Sequence, residues 1–217
     1  VVEFFSFLDP LREAGFPVNF ISRVPGIEGG YDKGRTLSEL KENHRSVVTE
    51  MGYQWNQFWR AEQVHGHQIG IVDRPGPARF IAGVDGLMTA RQDALLGIYV
   101  ADCGLIWLAD RGTGAVALLH SGRKGSEKGI LGHAITEMGR VFGTRPQDVL
   151  AVLGPCIRPP HYEIDFASLI ARDAREVGVG DFIDCGLCTG SDLESFYSYR
   201  MEKGATGRML GVIGCRP

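Results

Sequence analysis

The sequence lacks any apolar run approaching the roughly 18 residues that a membrane span requires, so no transmembrane helix is expected. Its opening stretch, VVEFFSFLDPLREAG, has no basic segment of the kind that starts a secretory signal. No basic tract is present either. With 23 lysines and arginines against 26 acidic residues and a formal net charge of −3, nothing offers a surface to nucleic acid or anionic lipid. Cysteines are few and odd in number, five in all, at 103, 156, 185, 188 and 215. Their spacing does not form a disulfide framework, so free thiols in a reducing cytoplasm are expected. The pair Cys185 and Cys188 lacks the second C-x-x-C or histidine pair that a structural zinc site needs. Repeats, low-complexity segments and linkers are also missing, so residues 1–217 read as one domain.

What is present is ordinary for a globular chain: 44% hydrophobic and 23% charged residues. Val18 to Val24 alternates like a strand and ends in the glycine-rich loop PGIEGGYDKG. Thr36 and Glu39 have capping-box spacing, which predicts a helix opening at Thr36 with Leu37, Leu40, Val47, Val48 and Met51 on its apolar face. AEQVHGHQIGIVD and FIAGVDGLMT read as strands bent by glycines, joined by a turn at RPGPA. A hairpin follows over 99–125. Ile130, Leu131, Ala134, Ile135, Met138 and Phe142 recur at helical spacing, VLAVLG reads as a buried strand, and Asp165 or Ser168 opens a helix reaching about Val177. A last strand closes the chain. Strands and helices without regular alternation favour an α+β fold over a doubly wound sheet.

The hairpin carries the first chemistry. If Arg111 and Gly112 form a two-residue loop, Cys103 lies directly across from His120, with Cβ atoms about 4.5–5.5 Å apart. A thiolate and an imidazole that close can share a zinc ion, and a longer loop would shift the register by a residue or two. His65, in QVHG, is the best third ligand. A His₂Cys set leaves one position open, which suits a catalytic zinc. The same geometry also permits a metal-free hydrolase with Cys103 as nucleophile and His120 as base.

QVHG at 63–66, VDGLMT at 84–89, ADC at 101–103, LHSGRKG at 119–125, LGPCIRPPHYEI at 153–164 and SYR…TGR at 198–208 occur in one order. That order resembles the YfiH-like, or laccase-domain, family of purine nucleoside phosphorylases, once called polyphenol oxidases. The resemblance implies a mixed β-sandwich flanked by helices, with zinc bound by His65, Cys103 and His120. It also implies phosphorolysis of adenosine, inosine, guanosine and methylthioadenosine, with adenosine deamination as a second reaction.

HSGRKG stands where the family usually has HAGWRG, so Arg123 replaces a tryptophan and Lys124 an arginine. His161 stands where a cysteine is common. Arg23, Arg123 and Lys124 are the candidates for phosphate, because arginine offers a two-pronged fork and lysine a point charge. Gln63 is expected to share the face of His65 and contact base or ribose, Tyr162 and Glu163 to line the purine pocket, and Asp102 to point away. Purine nucleosides and phosphate are the expected partners, with no nucleic acid or membrane. A copper polyphenol oxidase is a competing reading and would require further imidazole-bound copper beyond one His₂Cys centre. A non-enzymatic descendant is another, suggested by HSGRKG.

Overall fold

Continuous apolar runs such as LLGIYV and GLIWLAD are buried along their whole length, which requires a partner layer on each face of the strand. The computed structural model describes residues 5–74 and 79–216, and in it two mixed sheets supply those layers. Pro75 to Ala78, most of the RPGPA turn, lie outside the described residues. The strands are β1 (Val18–Ile21), β2 (Phe58–Ala61), β3 (Ile69–Ile71), β4 (Phe80–Ile81), β5 (Gly86–Thr89), β6 (Leu95–Val100), β7 (Gly104–Asp110), β8 (Val116–Ser121), β9 (Val149–Leu153), β10 (Asp181–Asp184) and β11 (Met209–Gly214). The helices are α1 (Asp9–Glu13), α2 (Lys33–Glu50), α3 (Arg123–Glu127), α4 (Ile130–Phe142) and α5 (Phe166–Glu176).

One sheet has the order β1-β11-β6-β2-β4 and the other β10-β9-β7-β8-β5-β3. The period of two along each strand divides the core. Leu105, Trp107 and Ala109 face Leu96, Ile98 and Ile213 of the opposite sheet. Their neighbours Ile106 and Leu108 face Leu131, Ala134, Met138 and Ile170 on α4 and α5. Leu37 and Val48 of α2, with Met51 at its C-terminal cap, cover Leu95, Tyr99 and Val212 on the far side. The layers therefore run helix, sheet, sheet, helices, a mixed β-sandwich with helices outside. Trp107 joins the sheets, donating its indole N–H to the Val212 carbonyl at 3.0 Å; truncating so large a buried ring costs about 3–5 kcal/mol.

Helices α4 and α5 lie where periodicity placed them, and the Asp165 side chain caps α5 by accepting from the Ser168 N–H. Other boundaries differ. Helix α2 begins three residues before Thr36, because Asp32 accepts from the Arg35 N–H at 2.9 Å and acts as the cap; Thr36 is buried inside the helix. The hairpin turn is longer than two residues. Asp110 accepts from the N–H groups of Gly112 and Thr113 and from the Thr113 hydroxyl, and the strands close where the Asp110 N–H meets the Ala115 carbonyl. The register pairs His120 with Leu105 and Ser121 with Gly104, which leaves Cys103 just outside β7, beside Gly122. Residues 62–68 form a loop rather than a strand: Gln63 and His65 have φ of 64° and 60°, left-handed values that break a strand. Strand β10 and helices α1 and α3 had no clear signature in the sequence.

Candidate metal centre and its cavity

Three segments deliver the three side chains that could hold a metal ion. His120 is the fifth residue of β8 and its period of two points it into the sandwich, where it is buried. Cys103 lies at the entry to β7 and His65 in the loop after β2. Their ligand atoms all lie within 4.8 Å of one another, the only group of three or more metal-ligating side chains so close among the described residues. The imidazoles meet edge to face, ring centroids 4.9 Å apart.

Asp85 organises this centre. Its carboxylate is fully buried and accepts four hydrogen bonds: from His120 Nδ1 at 2.8 Å and from the N–H groups of Val64, His65 and Gly66 at 3.2, 2.8 and 2.6 Å. The first leaves His120 Nε2 to face Cys103 and His65. The other three fasten the loop that presents His65 and hold its left-handed backbone, a strain of about 1–3 kcal/mol that such contacts must offset. Asp102, with φ of 81°, is a third left-handed residue at the site. Its carboxylate points away from the ligands, accepting from Thr189 Oγ1 and the Arg200 N–H.

The charges are coupled. Burial opposes the Cys103 thiolate, yet the His120 and His65 rings outweigh it and lower the thiol to about 6. Burial likewise opposes a charge on His120, and the Cys103 thiolate and Asp85 carboxylate raise it to about 9. Asp85 is held below the ordinary carboxylate range by the His120 and Gly66 hydrogen bonds, against the opposing effect of burial. Once an ion displaces the His120 proton, the Cys103 thiolate and two imidazoles, one oriented by a carboxylate, form a donor set that fits a borderline-soft divalent ion. Gly122 makes room for it, since a Cβ there would stand 2.6 Å from Cys103 Sγ.

These ligands line a cavity of about 660 Å³ together with Tyr162, Phe166, Tyr199, Ile157 and several cations. Arg123 and Tyr162 are at the cavity, as is Gln63, but the Gln63 amide is occupied in both directions by the backbone of Tyr99. Glu163 pairs with Arg200. Lys124 is exposed on α3 and does not line the cavity. Arg23 lies at a different concavity, bound to Glu28 and Glu202 and stacked on Tyr197; its fork is spent on protein carboxylates. Sequence reasoning missed Asp85, Lys33 and Arg208. Asp85 had a local signal, its place before a glycine in VDGLMT, and Arg208 is the last residue of TGR, whereas Lys33 had none.

The family described as multi-copper polyphenol oxidoreductase laccase matches residues 24–168 and 160–216. A purine nucleoside phosphorylase of Deinococcus radiodurans is 32% identical, over 91% of this chain and 88% of its own length. One from Corynebacterium glutamicum is 27% identical over 95% and 98%. The crystal structure of YlmD from Geobacillus stearothermophilus superposes with a TM-score of 0.78 at 24% identity, over 92% of this chain and 91% of that one, and so shares the fold. No helix among the described residues is long and apolar enough to cross a membrane. The chain therefore belongs to the laccase-like family of YfiH and YlmD, relatives of which bear the name purine nucleoside phosphorylase.

Proposed function

We propose that residues 1–217 form one laccase-like domain that acts as a zinc-dependent purine nucleoside phosphorylase on adenosine, inosine, guanosine and methylthioadenosine, with adenosine deamination as a second reaction. The observation that carries this reading is the convergence of His65, Cys103 and His120 on one wall of a cavity of about 660 Å³, a volume that suits a small organic ligand. The names of the relatives supply the reaction class. A reducing compartment such as the cytoplasm suits five cysteines that are all free.

His65, Cys103 and His120 would hold the zinc, which when bound supplies Lewis acidity and an activated water near neutral pH. Tyr162 and Phe166, ring centroids 6.1 Å apart, offer apolar faces for a purine. In phosphorolysis a phosphate oxygen bonds to the anomeric carbon of the ribose as the bond to the purine nitrogen breaks, giving ribose 1-phosphate and the free base. The chain's part is to neutralise the incoming anion, and the cations that line the cavity do this. Asp85 fixes the His120 ring so that Nε2 stays directed at Cys103. Inosine with phosphate should yield hypoxanthine and ribose 1-phosphate; hypoxanthine formed equally well without phosphate would contradict the reading.

A second reading has its own support. Asp85, His120 and Cys103 form a relay in which a carboxylate orients an imidazole beside a thiol lowered to about 6, as in thiol hydrolases. Cleavage of an ester or amide that depends on Cys103 and withstands chelators would favour it. For a multi-copper oxidase the remaining histidines give less support: His44 is buried on α2, and His67 faces His133, ring centroids 5.4 Å apart, outside the His65, Cys103 and His120 group.

A further inference from the structure

The five cations lining the cavity differ in their partners. Arg123 is paired with Glu127 at 2.8 Å and Arg200 with Glu163 at 2.9 Å. Lys33, Lys203 and Arg208 have no carboxylate in ion-pair range among the described residues. Lys33 is the first residue of α2, and Arg208 stands immediately before β11. The fold brings these two element starts, far apart in sequence, to one rim. Arg208 donates through Nη1 to the carbonyls of Thr206 and Gly207 at 3.2 and 2.7 Å, which fixes the guanidinium while no acceptor among the described residues meets Nε or Nη2. Burial, then the Arg208 and Arg60 charges, hold the Lys33 amine below its ordinary value, against the opposing pull of Asp85 and Glu62. Burial also lowers Arg208, against the opposing pull of Tyr199, Asp102 and Cys103. Two like charges on one rim, neither in ion-pair contact with a carboxylate among the described residues, repel each other, and a bound anion relieves that repulsion.

We propose that Lys33 and Arg208 form the anion subsite of the cavity and take a phosphate dianion, the guanidinium as a fork and the ammonium as a point charge. This places the anion on cations other than Arg23 and Lys124, which lie outside the cavity. The role as co-substrate subsite rests on the phosphorylase reading; the geometry does not. Free orthophosphate and the phosphate ester of a nucleotide share the required chemistry.

Calorimetric titration of the purified full chain with orthophosphate, and separately with adenosine monophosphate, tests it. Wild type should bind one of the two, and Lys33→Ala and Arg208→Gln should each weaken that binding about tenfold or more, with Lys33→Arg restoring it. The probe that responds identifies the source of the phosphate. If Arg208→Gln does not fold, Lys33→Ala on the exposed rim decides. Binding of neither probe, or binding unchanged in the variants, overturns the subsite. Purine release from inosine with and without phosphate, run on the same wild-type sample, judges the phosphorylase reading separately.

Discussion

The Asp85 carboxylate receives His120 Nδ1 at 2.8 Å and, with the same two oxygens, the backbone of the loop that carries His65. One buried side chain thus sets the ring of one ligand and the position of another. Replacing it should loosen both.

Asp85→Asn is therefore expected to lower metal affinity about 10–100-fold, the usual cost of losing a partner that orients a ligand. Competition with a chromophoric chelator would measure it. Affinity equal to wild type would show that the His120 ring needs no such anchor.

Gly122→Ala tests the space beside the thiol. Gly122 has φ of −89°, open to any residue, so the obstacle is the Cβ itself at 2.6 Å from Cys103 Sγ. The variant should fold, with an ordinary far-ultraviolet spectrum, and bind less metal per chain. Full metal content would mean that the thiol can shift without loss.

Thiol reactivity should separate the cysteines. Cys103 is lowered to about 6, whereas burial raises Cys156 strongly, Cys185 to about 11 and Cys215 to about 12. Iodoacetamide at neutral pH should alkylate Cys103 of chelator-treated protein ahead of those three, because the thiolate is the nucleophile. Peptide mapping in which Cys103 lags behind any of them would contradict this.

His44 gives a dependence of stability on pH. It is fully buried with both ring nitrogens unpartnered, and burial lowers it from 6.5 to about 4. The unfolded chain takes up its proton near 6.5 and the folded chain only near 4, so stability present above pH 6.5 falls as the pH drops through that window. The loss amounts to about 3 kcal/mol. Denaturant unfolding of His44→Leu should show a shallower decline between pH 7 and pH 4.5 than wild type; parallel declines would refute it.

Much of this arrangement is legible in the sequence, for physical reasons. LLGIYV and the run from Gly104 to Ala109 are apolar or small throughout because both faces of their strands are covered, and the helical repeat from Ile130 to Phe142 survives because α4 buries one face. His65, Cys103 and His120 stood out because thiol and imidazole are rare and lay in ordered motifs. The register of β7 and β8 was not legible, since it depends on how the Asp110 carboxylate folds the turn. Nor was the junction of Lys33 with Arg208, which exists only once α2 and β11 pack in three dimensions. Arg23 carried the residue type expected for phosphate, but Glu28 and Glu202 claim it.

The central claim is that His65, Cys103 and His120 hold a metal on which phosphorolysis depends. Its most direct test is phosphate-dependent hypoxanthine release from inosine, measured with metal content on one wild-type preparation before and after chelation, and on Cys103→Ala. Untreated wild type should hold about one zinc per chain, with release that chelation abolishes and zinc restores, and Cys103→Ala should show neither metal nor release. Release that persists in metal-free protein, or in Cys103→Ala, would contradict it.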